Sequence, residues 1–229
     1  MKPFRYFIIG LLGLGLVVIG STAFRKRHYP TSKPFTLVSA IYIVGKDGNR
    51  VLASISTKFV RNSAVWKEVK VDAKTQKVQQ TIAKDGNIYD IVNGKLEWLS
   101  KAAPTDEPQV SPTEYYTQLN RTEKLFGLTA YVTHMDMGSD GYEEEWYTLE
   151  TGAIPLKIHL SLHEGKSQRI VEPLSLAFGE ISDDVLESPD LPISFDRINA
   201  LLKDAEKAGH REYVDQMRTS IEEEKKKQQ

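Results

Sequence analysis

The chain has 229 residues, no cysteine and nearly balanced charge, with 30 basic and 31 acidic side chains. Balanced charge gives no reason to expect a nucleic-acid partner. The absence of cysteine excludes disulfides, thiol chemistry and a lipid-modified cysteine after a signal sequence. Residues 29–229 suffice for one domain of moderate size with an appendage.

An uncharged apolar stretch from Phe7 to Phe24 opens the chain. As a helix it would be about 27 Å long, enough to cross the hydrocarbon core of a bilayer. Lys2 and Arg5 before it and small residues at 21–23 are typical of a cleaved signal peptide. The length of the run and the basic residues at 25–27 favour an uncleaved signal anchor, with cleavage as the alternative. Because both flanks are basic, charge alone does not set the orientation.

Alternation of apolar and polar residues then predicts a largely antiparallel sheet. The sequence Lys-Asp-Gly-Asn occurs at 46–49 and again at 84–87, and Asp-Gly is a strong hairpin signal. Gly48 and Gly86 should each take a positive φ angle, which glycine tolerates without steric cost. Strands are predicted at 35–44, 51–59, 64–71, 88–92, 96–99, 125–134, 142–149, 154–162 and 169–178.

The clearest alternation predicts a strand with one apolar face, which is either packed core or the wall of a cavity. On the other, wetter face should lie Lys157, His159 and His163. The predicted interior side chains are Ile154, Leu156, Ile158, Leu160 and Leu162.

The remaining segments are predicted to be loops and helices. A loop or lid with three prolines spans 102–112 and precedes a helical turn or two at 113–119. The stretch 182–192 ends the alternation, and a helical period follows on both sides of Gly209. This C-terminal helical hairpin would pack on the sheet or, alternatively, dock a partner.

These patterns together predict a mainly β (α+β) fold. It comprises an N-terminal transmembrane helix, a curved antiparallel β-sheet and a C-terminal helical hairpin. The predicted division is a signal anchor with its flanks at 1–28, an antiparallel β domain at 29–190 and the helical hairpin at 191–229.

Three short motifs resemble the central hairpins of exported domains in the LolA-like (outer-membrane lipoprotein carrier-like) superfamily. They are Leu-Phe-Gly-Leu at 125–128, Glu-Glu-Trp-Tyr at 144–147 and Gly-Ala-Ile-Pro-Leu-Lys at 152–157. The resemblance implies a half-barrel sheet whose concave apolar face is closed by helices or loops. It also implies binding of lipids, lipoprotein acyl chains or partner proteins in the bacterial envelope. The carriers are soluble shuttles, so a tethered chain is more similar to sensor or assembly members of the superfamily.

Large apolar side chains are the candidate ligand contacts in such a cavity. Trp66, Trp98 and Trp146 are the large aromatics of the predicted sheet, and Ile158 lies on its apolar face. Packing in an ordinary core is the alternative for each tryptophan.

No metal, cofactor or catalytic site is predicted. His159 and His163 share a strand face but have no evident third ligand. The loop 136–141 lacks two oxygen ligands of a calcium loop. Successive glutamates at 143–145 alternate between the faces of a strand, which predicts a solvated edge rather than a catalytic pair.

The sequence therefore predicts a membrane-anchored, extracytoplasmic (periplasmic) binding module that is not an enzyme. Its partners would be the membrane, through Phe7 to Phe24, and a lipid, an acyl chain or an envelope protein. The alternative is a structural or regulatory protein that docks a partner through the C-terminal helical hairpin.

Overall fold

The computed structural model describes residues 33–45, 47–101, 121–136, 141–152, 154–162, 167–207, 209 and 211–227. The predicted anchor, the proline-rich loop and the helical turn at 113–119 lie outside the described residues. Within the described residues, no helix is long and apolar enough to cross a membrane.

Alternating sequences form one large open sheet of 12 strands in the described part of the chain. All neighbouring strands are antiparallel except β12, which pairs in parallel with β6. The strands are β1 Phe35–Val44, β2 Arg50–Asn62, β3 Val65–Asp72, β4 Val78–Lys84, β5 Asn87–Val92, β6 Lys95–Lys101, β7 Thr122–Leu125, β8 Leu128–Asp136, β9 Gly141–Thr148, β10 Lys157–Leu162, β11 Ser167–Phe178 and β12 Ile193–Ser194.

The sheet contains two meanders, β1 to β6 and β7 to β11. The first strand of the first meander, β1, pairs with the last strand of the second, β11. The spatial order is β12-β6-β5-β4-β3-β2-β1-β11-β10-β9-β8-β7. The ladder between β1 and β11 runs from Phe35 opposite Phe178 to Val44 opposite Gln168. The centre of the sheet is therefore made from the two strands that are farthest apart in the sequence among β1 to β11.

Three helices follow β11 in the described residues, with β12 between the first two: α1 Asp183–Leu186, α2 Asp196–Lys207 and α3 Arg211–Lys227. α2 and α3 pack against β4 to β6, and the predicted C-terminal helices are thereby confirmed. The shared core contains Ile82, Tyr89, Leu96, Trp98, Phe195, Ile198, Leu202, Val214 and Ile221.

The strand register divides the sheet into two faces. The helix face carries Trp98 and Tyr89, against which α2 and α3 pack. The opposite side, here called the charged face, carries Lys58 opposite Glu68 on β2 and β3, and Glu145 opposite Ile158 on β9 and β10.

The sheet curves toward the charged face. The charge of Lys58 on β2 acts on Glu145 on β9, although four strand spacings, about 19 Å in a flat sheet, separate their strands. The two strands must therefore approach each other across the charged face.

Most predicted strands are present. β4, β7 and β12 were not predicted, and β10 begins at Lys157 rather than at 154. The strand predicted at 125–134 is confirmed from Leu128 onward as β8, but its start is wrong, because the chain turns at Phe126 and Gly127 between β7 and β8. The two turn glycines are confirmed, with φ of 77° at Gly48 and 74° at Gly86.

Gly141 and Gly86 provide a matched test of backbone constraint. A Cβ at Gly141 would lie 1.9 Å from the carbonyl oxygen of Ser161, whereas nothing lies within 4 Å of a Cβ at Gly86. We expect Gly86→Ala to cost about 1–2 kcal/mol, the penalty of the left-handed conformation alone. Gly141→Ala should cost more than that, because β9 and β10 must separate. Urea denaturation of the full chain in detergent measures both, and equal losses would contradict the close approach.

Candidate functional site

Three charged side chains on β2 and β3 form one side of the charged face. Glu68 accepts a hydrogen bond from the Ser56 hydroxyl at 2.6 Å and forms an ion pair with Lys70 at 3.2 Å. Burial opposes ionisation of Glu68. The charges of Lys58 and Lys70 and the hydrogen bonds outweigh burial, and the pKa of Glu68 falls to about 2. Glu68 is therefore a fully paired carboxylate at neutral pH.

Lys58 has no such direct pairing. Its ammonium lies 5.0 Å from the centre of the Trp66 ring, a cation–π distance. Its charge acts on Glu68 and on Glu145, but it makes no ion pair within the part of the chain that the structure describes. A cation held between two carboxylates without contacting either can accept an additional anionic or dipolar partner.

The other side of the charged face, on β9, is acidic. Glu145 accepts a short hydrogen bond from the Tyr147 hydroxyl. Burial raises the pKa of Glu145, against the opposing effects of that hydrogen bond and of Lys58. Two positions away, on the same face of β9, Glu143 is only 4% exposed.

Glu143 has no hydrogen bond or ion pair to any described residue. Burial and then the charge of Glu145 raise its pKa to about 7, and the charge of Arg169 opposes this only in part. Asp90, in contrast, is a buried carboxylate that accepts from Thr81 at 2.6 Å and pairs with Arg197. Burying a carboxyl that has no partner among the described residues is costly, so Glu143 is an unusual feature of this sheet.

Apolar side chains of β10, β11 and β1 lie between these two charged sides. The register places Ile158 opposite Val171, and Val171 opposite Ile41, in one row across β10, β11 and β1. Leu160 lies in the next row, between Glu143 on β9 and Arg169 on β11. The charged face thus has an apolar floor with polar groups of both signs around it.

One end of this face is closed by an apolar cluster. Ile154 and Leu156, which precede β10, pack with Phe35, Leu37 and Val60 and are at most 7% exposed. Their predicted interior position is confirmed. The predicted alternation is confirmed in β10, where Ile158 and Leu160 share one face and His159 lies on the other.

The four predicted cavity residues are not brought together. Trp66 and Ile158 lie on the charged face, both partly buried. Trp98 is fully buried under the helices and donates to the Asn87 side chain at 2.9 Å. Trp146 lies on the helix-face side of β9, beneath Lys157 at 4.6 Å. Whether these residues contact a ligand stays a prediction.

A second concavity lies on the other side of the sheet, beside β4 to β6. Its volume is about 360 Å³, and its walls include Tyr89, Lys84, Asp85 and the segment 188–193. Burial, with the charges of Glu224 and Asp85, raises the pKa of Tyr89 to about 12. Its lining mixes Lys84, Asp85 and Asp190 with Leu96, Leu191 and Ile193, so it differs from the apolar cavity that the sequence resemblance implies.

No group of three potential metal ligands occurs among the described residues. His159 instead pairs with the Gln168 side chain at 3.2 Å. His163 and most of the loop 136–141 lie outside the described residues.

Sequence reasoning missed the charged face. It predicted that the glutamates at 143–145 form a solvated edge, and burial of Glu143 shows that this is wrong. The expected alternation is correct, since Glu143 and Glu145 share a face and Glu144 faces the other way, paired with Arg121. Charged residues at alternate positions of the predicted strands could have indicated a charged face. Whether those residues approach one another, however, depends on the curvature of the sheet.

The raised pKa of Glu143 predicts how stability depends on pH. Folded Glu143 titrates near pH 7 and unfolded Glu143 near 4.5, so between these values the folded state binds more protons. The free energy of unfolding should therefore fall as pH rises from about 4.5 to 7, by up to roughly 3 kcal/mol, and then level off. Glu143→Gln should flatten this fall and be more stable than the unmodified chain at pH 8.

Urea denaturation between pH 5 and 8 measures this dependence. Glu180→Gln is the control, because Glu180 is an exposed carboxylate after β11. A Glu143→Gln chain with the same pH slope as the unmodified chain would show that Glu143 is ionised and solvated. The remaining slope should come from Glu145, whose pKa is raised in the same direction.

No family model matches the sequence, and no curated protein matches it. Solved structures do match. An uncharacterised conserved protein from Thermus thermophilus has 9% identity and a TM-score of 0.45, over 72% of this chain and 91% of that chain. A LolA superfamily protein from Nitrosomonas europaea has 10% identity and a TM-score of 0.40, over 73% and 95%. LprF from Mycobacterium bovis has 7% identity and a TM-score of 0.31, over 76% and 95%. One of these matched structures is that of a LolA superfamily protein, the superfamily that the hairpin motifs resemble.

Proposed function

We propose that this chain is a membrane-anchored, extracytoplasmic binding module whose charged face binds a membrane amphiphile. The apolar floor would contact an acyl chain or similar apolar part, and the surrounding charged groups would contact a polar head. The observation that carries the proposal is the combination, on one concave face, of an apolar row with charged groups that lack ion-pair partners among the described residues. The proposal assigns no catalytic step.

The polar part of the site supports a head group with both signs of charge. Lys58 offers a cation without an ion pair in the described residues, and Glu143 offers a carboxyl without a partner there. Binding a head group would satisfy both and offset the cost of burying them. A purely apolar ligand would leave that cost in place, which is why we favour an amphiphile.

The apolar part of the site supports a ligand with a hydrocarbon segment. Ile158 and Val171 are only partly buried although they lie near the centre of the sheet. Covering a partly exposed aliphatic side chain contributes a fraction of the roughly 1.5–3 kcal/mol for complete burial. The row is continuous with Ile41, so an extended chain can cross three strands.

Anchoring and export rest on the sequence. The uncharged stretch from Phe7 to Phe24 is long enough to span a bilayer. An amphiphile is present at high local concentration next to a membrane, which suits a tethered binding module. An envelope protein that presents an amphipathic segment is the alternative ligand for the same face.

The other candidate function is docking of a partner through the C-terminal helical hairpin. The apolar residues of α2 and α3 that could serve it are used in the core under β4 to β6, including Ile198 and Val214. The described side chains of both helices include no exposed large apolar residue. This arrangement favours a hairpin that packs on the sheet.

Bound lipid tests the ligand class, with two neighbouring positions of β10 as a matched pair. Ile158 belongs to the charged face and His159 to the other face. The full chain, extracted from native membranes with a polymer that retains lipid, would be examined by native mass spectrometry. We expect Ile158→Ala to lower the affinity for a fluorescent phospholipid about tenfold, since tenfold corresponds to about 1.4 kcal/mol.

His159→Ala should leave lipid binding unchanged, because its side chain pairs with Gln168 away from the site. Urea denaturation of both variants checks that a loss of binding is not a loss of folding. Identical lipid binding by the two variants and the unmodified chain would exclude the charged face as the site. A protein captured in place of lipid, and lost in the Ile158 variant, would favour the envelope-protein alternative.

Membrane insertion and orientation have a separate test. A reporter enzyme that is active only outside the cytoplasm, fused after Gln229, should be active. The chain should also resist alkaline carbonate washing, because an apolar helix of 18 residues from Phe7 to Phe24 remains inserted. Release by carbonate would exclude the anchor, and an inactive but expressed fusion would place the domain in the cytoplasm.

A further inference from the structure

Two phenylalanines are exposed on the described surface. Phe126 is 46% exposed and Phe178 is 42% exposed, and they are the aromatic members of the large apolar side chains exposed in the described residues. Single exposed apolar residues are common and need no explanation. These two phenylalanines differ from a scattered exposed residue in two respects: the backbone conformation of Phe126 and the location of both side chains in the fold.

Phe126 occupies a backbone conformation that aromatic residues seldom adopt. Its φ is 52°, in the two-residue turn that it forms with Gly127 between β7 and β8. The two analogous turns use Asp85 and Asn93 at the same position, and both residue types tolerate positive φ. A bulky residue there is strained, and strain of this kind concentrates at functional sites. Asparagine would make the turn at lower cost, so turn formation alone does not account for Phe126.

Both phenylalanines lie at the same end of the sheet. Phe178 pairs with Phe35, the first residue of β1, and their rings meet edge to face at 6.2 Å. Leu125, the residue before Phe126, packs against the cluster that contains Phe35. At the opposite end of β1, Ile43 pairs with Val51.

This end is also the one to which the predicted membrane anchor leads. The backbone N–H of Lys33 donates to the carbonyl oxygen of Glu150 at 2.9 Å, and that of Gly179 donates to Pro34 at 3.1 Å. Eight residues, 25–32, separate Phe24 from Lys33. Fully extended, they span at most about 28 Å. The end that carries Phe126 and Phe178 is therefore tethered close to the bilayer surface if 7–24 is inserted.

We propose that Phe126 and Phe178 insert into the interfacial layer of the bilayer that holds the anchor, and so hold this end of the sheet against the membrane. The inference rests on the anchoring part of the proposed function. Aromatic side chains favour the membrane–water interface, where their rings leave water without entering the hydrocarbon centre. Burial in lipid also supplies free energy that offsets the strained turn at Phe126.

The absence of cysteine allows a direct measurement of membrane contact. Three single-cysteine full-length chains would be made: Phe126→Cys, Phe178→Cys and Val51→Cys. Val51 is the control, because it is apolar and 63% exposed but lies at the far end of β1. Each cysteine would carry a nitrobenzoxadiazole fluorophore, and each chain would be reconstituted into vesicles of phosphatidylcholine and phosphatidylglycerol.

Lipids with a spin label near the head group should quench the fluorophore at 126 and 178 severalfold more than at 51. A further chain, Phe178→Cys with Phe126→Asn, keeps the turn because asparagine tolerates positive φ. It should fold at least as well and show weaker quenching at 178. Unchanged quenching at 178 in that chain would show that Phe126 does not contribute to docking.

Four other outcomes would overturn the inference. Equal quenching at all three positions would show that the domain has no preferred contact with the bilayer. If carbonate does not release the chain from the vesicles and no quenching is seen, docking is overturned while the anchor stands. Fluorescence changes that depend on protein concentration and not on the spin label would indicate a second copy of the chain in place of lipid. Release by carbonate would overturn the anchor, and docking with it.

Discussion

The antiparallel pairing of β1 with β11 is the constraint on which the rest of the structure depends. It joins residues 143 positions apart, since Phe178 pairs with Phe35. Closing a flexible loop of that length costs about 4 kcal/mol in chain entropy. Without this ladder the chain would be two separate meanders with exposed edges, a six-stranded and a five-stranded one. With it, the charged groups of β2 and β3 and those of β9 lie on one continuous concave surface.

The concave surface explains why its carboxylates behave differently from one another. Glu68 has Ser56 and Lys70 as close partners, so it stays ionised in spite of burial. Glu143 is also buried but has no close partner among the described residues, so its pKa rises to about 7. The difference arises from the strand register, which places Leu160 rather than a polar residue directly beside Glu143. Two carboxyls of one face thus titrate in different pH ranges, set by their immediate neighbours.

Local features of the fold could be predicted from the sequence. Alternation identified most strands, and Asp-Gly and Asn-Gly identified the turns at Gly86 and Gly94, both of which have positive φ. The turn at Phe126 was missed because phenylalanine is not a typical turn residue, so one strand was predicted from 125 to 134 and β7 was not predicted. β4 was missed because its apolar alternation is weak, with only Val78 and Ile82 as large apolar members of its face.

The candidate site could not be predicted in the same way, because it depends on contacts between distant strands. Nothing in the sequence around Glu143 indicates burial, and nothing around Lys58 indicates that β9 lies within electrostatic reach. The three tryptophans were better candidates by residue type, yet the register puts Trp98 and Trp146 on the side away from Ile158. Residue type predicts that a side chain is buried, whereas the pairing order decides which face it is buried on.

The two proposed contacts with lipid are related by the geometry of β1. Its first residue, Phe35, belongs to the cluster that closes one end of the charged face, and the same cluster supports Leu125 beside the exposed Phe126. The apolar row of the charged face begins farther along the same strand, at Ile41. From Phe35 to Ile41 is six residues, about 20 Å of strand. A bilayer in contact with Phe126 and Phe178 would therefore lie within the length of one acyl chain of the apolar row. Because the buried cluster around Phe35 closes the charged face at this end, an amphiphile from that bilayer would have to pass beside the cluster to reach the apolar row.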